Sequence, residues 1–230
     1  MWQRGFPSWT EKILHITITG KTAAEMETEY GFTAQQMTAV DGLLAQRDML
    51  EELIGNLTAV SADAADILRS LPVDLSPERR EVIKTACSLV GKVNYFWGGK
   101  SLVMGWDSRW GTLRKVTAEG SSSTGTYRPY GLDCSGFVDW VFYNATEGNY
   151  IIGHGGGAAS QHSYCTAISW EDALPGDLVF YPDDTHVGIV AGWDENGNIL
   201  IVHCASGYNN VVITGKERFV SIGRPLFFAE

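Results

Sequence analysis

The sequence predicts an α+β fold, on three observations. Apolar residues at helical spacing dominate the chain up to about residue 145, five short strand-like runs fill its C-terminal third, and an Asn-Gly turn joins two of those runs as a hairpin. The chain has 230 residues, 44% hydrophobic and 19% charged, enough for one domain of ordinary size plus a smaller one with a real core. A net charge of -10 argues against nucleic acid or an anionic membrane as a partner held by bulk electrostatics. No run approaches the length of apolar sequence that spans a bilayer. The opening Met1-Trp2-Gln3-Arg4-Gly5-Phe6 lacks the apolar stretch of a signal peptide, so either the protein stays inside the cell or the chain is a piece of a longer one.

In order along the chain, Leu14, Ile16 and Ile18 alternate with His15, Thr17 and Thr19, which predicts a half-buried strand. Helices are predicted over 22–30 and 33–57, the second carrying Met37, Val40, Leu44, Met49, Leu53 and Leu57, with breaks at Gly31 and Gly55. This βαα unit is assigned to residues 1–71, and a second domain to 72–230. The second domain opens with Ser76 as N-cap, Pro77 at the first helical position and Glu78 in the first turn. Val82, Ile83, Ala86, Cys87 and Val90 make that helix's apolar face, so Cys87 reads as core. Residues 100–131 are a long polar loop whose Glu119–Thr126 stretch is low in complexity and expected to be mobile. A helix begins at Cys134, striped by Phe137, Val138, Val141 and Phe142, and residues 145–169 read as loop. Strands are predicted over 178–181, 186–193, 199–204, 211–214 and 219–223, with Asp194-Glu195-Asn196-Gly197 as the hairpin turn.

A cysteine attacks as thiolate, and its pKa falls at a helix N-terminus or beside an imidazole. Cys134 opens a striped helix, where unpaired backbone N–H groups serve both the thiolate and an oxyanion. His186 stands at the exposed start of a strand, and a general base placed there reaches a neighbouring helix end. If the hairpin is tight, His203 stands beside His186 and fixes its tautomer. Each has a plainer reading: a capped helix beginning with Cys, an edge-strand His, a zinc or surface His. Together they follow the order of a papain-like triad.

Around these residues stand Tyr95-Phe96-Trp97-Gly98-Gly99, Leu132-Asp133-Cys134-Ser135-Gly136-Phe137-Val138, Leu174-Pro175-Gly176-Asp177-Leu178, His186-Val187-Gly188-Ile189-Val190 and Ile201-Val202-His203-Cys204-Ala205. In that order, over residues 76–230, they resemble the NlpC family of cell-wall peptidases. The resemblance implies a papain-like core of helices on an antiparallel sheet. It implies hydrolysis of amide bonds in peptidoglycan stem peptides, between D-glutamate and the following diamino acid, outside the cell or in its envelope. Cys134 is then the nucleophile, His186 the base and His203 the orienting residue, with Tyr95 and Trp97 near the oxyanion and substrate. Asp133 and Ser135 take the place where relatives bind polar groups such as a free amine. A packed aromatic, a helix N-cap and a first-turn serine are the structural readings of Tyr95, Asp133 and Ser135, and the two kinds of role can coincide. The loop between Gly99 and Asp133, with Trp106, Arg109, Trp110 and Arg114, is longer than in relatives and is expected to cover the groove. The stretch before Gln161 lacks the Pro-Arg pair of many relatives, which leaves substrate preference open. By strand alternation Cys204 faces away from His203, into the core.

Competing readings are a CHAP-like N-acetylmuramoyl-L-alanine amidase, against which His203 leans, a non-catalytic wall-binding module, and an intracellular cysteine hydrolase or toxin. The chemistry needs no cofactor or metal, and the histidines and cysteines lack ligand spacing. Residues 1–71 are outside the resemblance and read as a wall- or partner-binding module or as a prop.

Overall fold

The computed structural model describes residues 23–44 and 64–228. Contacts divide the chain into two units, Met1–Glu51 and Glu52–Glu230. In the first, helix α1 (Ala23–Tyr30) ends where Gly31 takes φ 63° and its N–H closes the last turn on Glu27 O. Helix α2 (Ala34–Leu44) starts with a reciprocal cap. Thr33 N–H donates to Gln36 Oε1 at 2.8 Å, and Gln36 N–H donates to Thr33 Oγ1 at 3.3 Å. The expected strand over 12–19, and Met49, Leu53 and Leu57, lie outside the described residues.

In the second unit the first described element is a helical stretch over residues 64–70 (α3). Ala64, Ile67 and Leu71 are buried in this unit's main core, so α3 packs with it, whereas the sequence placed the domain boundary at residue 71. Helix α4 (Pro77–Ser88) starts as expected, with Ser76 accepting from Arg79 N–H, and it buries Val82, Ile83, Ala86 and Cys87. Burial pushes the Cys87 thiol up to about 12. Helix α5 (Cys134–Ala145) buries Phe137, Val138, Val141 and Phe142.

The polar loop over 100–131 is built around a hairpin of β1 (Leu113–Lys115) and β2 (Tyr127–Pro129). Its low-complexity tip, expected to be mobile, carries its own hydrogen bonds. Ser121 and Ser123 hydroxyls bond each other at 2.8 Å, Thr124 Oγ1 donates to Ala118 O, and Val116 N–H donates to Thr126 O. Asn144 on α5 holds the loop's base by accepting from Gly105 N–H and donating to Val103 O.

The expected loop over 145–169 contains a short helix, α6 (Gly157–Ser163), and a strand, β3 (Cys165–Ala167). Neither was legible, because α6 opens on a glycine without a side-chain cap and β3 has only three residues. Five further strands follow: β4 (Leu178–Phe180), β5 (Val187–Trp193), β6 (Ile199–Ala205), β7 (Asn210–Gly215) and β8 (Ser221–Pro225). With β3 they form one antiparallel sheet in the order β3-β8-β4-β5-β6-β7. Its helix-facing side packs Phe180, Ile189, Val202 and Cys204 with α4 and α5, and its other side buries Val179, Val190, Ile201 and Ile222. Burial on both sides explains why these strands read as continuous apolar runs. Helices on an antiparallel sheet are the α+β architecture expected.

One buried charge cluster ties helix to sheet. Asp177, just before β4, accepts from Arg79 of α4 at 2.9 Å and from Arg224 of β8 at 3.1 Å.

Candidate active site

Cys134 is the first residue of α5 and is buried. Asp133 caps the helix: its Oδ1 accepts from Gly136 N–H at 2.6 Å, Ser135 Oγ at 3.0 Å and Lys100 Nζ at 2.9 Å. The first turn is pressed against the backbone at Gly99, so a Cβ on Gly136 would meet Gly99 O at 2.1 Å. Burial, then the carboxylate of Asp133, pushes the Cys134 thiol up to about 11. Against them, the backbone N–H groups of Val187 and Ser135 and the Lys100 ammonium favour the thiolate. The helix start and the strand start beside His186 therefore meet at the sulfur.

The two histidines are brought together by β5 and β6, His186 immediately before β5 and His203 on β6. His186 Nε2 and His203 Nδ1 lie 2.7 Å apart, and His203 Nε2 lies 2.9 Å from Thr214 Oγ1 on β7. The Thr214 hydroxyl donates to Gly215 O at 3.1 Å. These bonds assign both tautomers. With its proton spent on Gly215, Thr214 accepts from His203 Nε2–H, which leaves His203 Nδ1 as an acceptor for His186 Nε2–H. His186 Nδ1 then carries a free lone pair. Burial lowers His186 to about 4, opposed by Asp133, and burial together with His186 lowers His203 to about 3. Both rings are neutral near neutral pH. Tyr181 and Phe219 pack around them.

The turn leading into β5 is held from α6. His162 stacks on Phe180 with ring centroids 4.0 Å apart and bonds Asp184 Oδ1 at 2.8 Å, while Asp183 and Asp184 take positive φ of 55° and 51°. Two non-glycine residues in this region are costly, so the chain entering His186 is fixed by its surroundings.

Tyr95 forms a parallel bridge with Leu132, in the segment that leads into Cys134. Burial, then Cys134 and Asp133, raises its phenol above the ordinary range. Trp97 is half-buried, and its indole N–H donates to Glu119 O at 2.8 Å, pinning the tip of the β1–β2 hairpin. Ser135 is buried and bonds Asp133 and Lys100. Cys204 is fully buried on the helix-facing side, its thiol 3.1 Å from Leu132 O.

Sequence reasoning missed Lys100, Thr214 and a buried group under α5. In that group Gln161 Nε2 donates to Ser135 O and Asp139 Oδ1, and Gly155 N–H donates to Asp139 Oδ2. Asp139 carried a legible signal, a carboxylate inside the otherwise apolar run Phe137–Phe142. Lys100 and Thr214 carried none. Among the described residues, no three His, Cys, Asp or Glu side chains gather as metal ligands.

Comparison with known proteins gives the family of the chain. The NlpC/P60 family profile matches residues 92–216, a span that holds every candidate site residue. Among solved structures, the P60 domain of an antigen from M. avium subspecies paratuberculosis is 24% identical, with a TM-score of 0.46, covering 64% of this chain and 93% of that one. The peptidoglycan hydrolase RipB from Mycobacterium tuberculosis is 20% identical, with a TM-score of 0.44, covering 89% and 90%. RipD from the same organism, described as a non-catalytic NlpC/p60 domain protein adapted to peptidoglycan binding, is 16% identical, with a TM-score of 0.45, covering 65% and 98%. No curated protein matches. Because the profile spans more than half of the 230 residues, the chain belongs to the NlpC/P60 family.

Proposed function

We propose that this chain is a cysteine endopeptidase that hydrolyses amide bonds in peptidoglycan stem peptides, at the D-glutamyl–diamino acid bond, using Cys134, His186 and His203. The observation that carries the reading is the hydrogen-bond chain from Thr214 through His203 to His186, which leaves His186 Nδ1 as a base immediately before the strand whose first N–H favours the Cys134 thiolate. On substrate binding, Cys134 gives its proton to His186 Nδ1 and its sulfur attacks the scissile carbonyl. Each group alone is kept neutral by burial, but transfer creates both ions together and each stabilises the other. Backbone N–H groups at the start of α5, with the Tyr95 hydroxyl, receive the oxyanion. His186 then protonates the leaving amine, and water, giving its proton back to His186, hydrolyses the thioester. His203 stays neutral and accepts from the imidazolium. Such a protein works outside the cell or in its envelope.

Digestion of purified peptidoglycan by wild type and Cys134→Ala, read by mass spectrometry, tests this. Wild type releases peptide fragments cut after D-glutamate and the variant releases none. Undiminished release by Cys134→Ala would remove the nucleophile, and fragments cut between sugar and peptide would indicate an amidase. A second reading, a non-catalytic wall-binding module, is favoured by the resting thiol at about 11 and imidazole at about 4. Alkylation of Cys134 against pH separates the two: an activated thiol reacts well below pH 9 when a substrate-like peptide is bound, and a module's does not.

A further inference from the structure

The β1–β2 hairpin carries charge of the opposite sign to the chain. Residues 100–131 hold five lysines and arginines against two acidic residues, in a protein of net charge -10. Arg114 and Arg128 are direct cross-strand partners, so two like charges stand on one face of the hairpin, an arrangement that costs stability. Both are exposed, and among the described residues neither is paired with a carboxylate. Arg114 Nε donates to Thr112 Oγ1 at 3.4 Å and its guanidinium lies 5.1 Å from the centre of the Tyr130 ring, while Arg128 Nε donates to Thr126 Oγ1 at 3.3 Å. Arg109, by contrast, is matched to Asp107. A two-stranded hairpin is marginal by itself, but this one is held at both ends. Trp97 binds its tip at Glu119 O, Val116 just past β1 is fully buried, and Tyr130 OH donates to Lys100 O at its base. Six residues lead from Arg128 to Cys134, about 22 Å of chain at full extension.

We propose that the hairpin is a docking arm for polymeric peptidoglycan, on which Arg114 and Arg128 hold stem-peptide carboxylates from a part of the strand away from the scissile bond. Guanidinium forks match carboxylates with two-point hydrogen bonds, and an incoming carboxylate cancels the repulsion between the two arginines. The inference rests on the peptidase reading above, which brings a carboxylate-bearing strand to Cys134. The arm is fixed to its domain before anything binds, and its contact is remote from the reacting carbonyl. It therefore adds affinity for the polymer and leaves the chemical step on a short fragment as it was.

Co-sedimentation of Cys134→Ala with insoluble peptidoglycan reads the docking, and kcat/KM of the protein with Cys134 intact, on a short soluble stem peptide, reads the site. Adding Arg114→Gln and Arg128→Gln to Cys134→Ala is expected to weaken sedimentation about tenfold. The same pair in the active protein should leave kcat/KM on the short peptide within about twofold. Peptidoglycan with its carboxylates amidated should bind Cys134→Ala as weakly as native peptidoglycan binds the arginine variant, a comparison that decides even if that variant fails to fold. Undiminished sedimentation of the arginine variant or on the amidated polymer overturns the inference, and so does a Cys134→Ala that does not sediment at all. Loss of binding to peptidoglycan stripped of phosphodiester polymers by hydrofluoric acid also overturns it, assigning the arginines to phosphate. An equal fall in sedimentation and in kcat/KM on the short peptide overturns it as well, because the arginines would then act at the site. Docking that depends on the arginines, without cleavage of polymer or peptide, supports the arm and overturns the peptidase reading.

Discussion

At Thr214 one hydroxyl decides which nitrogen of His186 is free. If Thr214 did not accept from His203 Nε2, His203 could carry its proton on Nδ1 instead. That proton would meet His186 Nε2, and His186 would be forced to hold its own proton on Nδ1, the nitrogen that the proposed mechanism assigns to the thiol. Thr214→Val keeps the shape of the side chain and removes the acceptor. On the proposed mechanism the residue orients a base and touches no substrate, so the expected effect of the substitution is a fall in kcat on the order of tenfold with KM little changed. Thr214→Ser should restore the rate. Steady-state kinetics on a defined stem peptide, with the pH profile of kcat/KM, checks this, because a purely structural role would change folding and leave the acid limb where it was. Residues of this kind are not legible in sequence. Thr214 is an ordinary β-branched strand residue, and its meaning comes from a diagonal contact with His203, since it pairs with Ile201 while His203 pairs with Val212.

At the scale of elements, the start of α5 shows why local rules and packing disagree. Alanine is normally better than glycine inside a helix, by about 1 kcal/mol. At Gly136 the added Cβ would stand 2.1 Å from Gly99 O, a backbone atom that cannot rotate away. Relieving such a contact costs about 1–3 kcal/mol, so the clash wins and Gly136→Ala is expected to lower both stability in urea and activity, the latter because Cys134 moves with the helix start. The histidine hairpin was legible only in outline. From the turn, Trp193 pairs Ile199 and Gly192 pairs Leu200, a register that would set His203 opposite Ile189, on the face away from His186. A bulge at Ala191 shifts the register by one, so Val190 pairs Ile201 and Ile189 pairs Val202. His203 then lies opposite Gly188, on the same face as His186. A tight, regular hairpin would have separated the two rings. The bulge has no clear sequence mark, since Ala191 continues an apolar run buried on both sides.

For the whole molecule, the features read from sequence were those set by nearest neighbours: the caps at Ser76 and Asp133, the stripe on α5 and the order of strands. Those missed depend on partners far apart in the chain, as in Arg79–Asp177–Arg224 and Lys100–Asp133, where no period or spacing names the pair. The same burial that hides these partners gives the protein a pH dependence. His186 and His203 take protons at about 4 and about 3 when folded, against an ordinary value of 6.5. Between those values the unfolded chain binds more protons than the native one, so acid favours unfolding. Their stabilising effect is complete above 6.5 and is lost as pH falls from there through the folded values. On the alkaline side, Cys134 and Cys87 keep their protons to about 11 and about 12, against 9.0. Here the native chain binds more protons, and stability falls as pH rises above 9. Asp139, its carboxyl raised by burial, opposes the acid limb in part. Thermal unfolding across pH should therefore show a plateau between about 6.5 and 9. A drop on the order of 5 °C or more is expected by pH 4.5. His203→Asn should flatten the acid limb while leaving the alkaline one, and Cys87→Ala should do the reverse. An unchanged acid limb in His203→Asn would mean that the buried histidine pair is not what acid attacks.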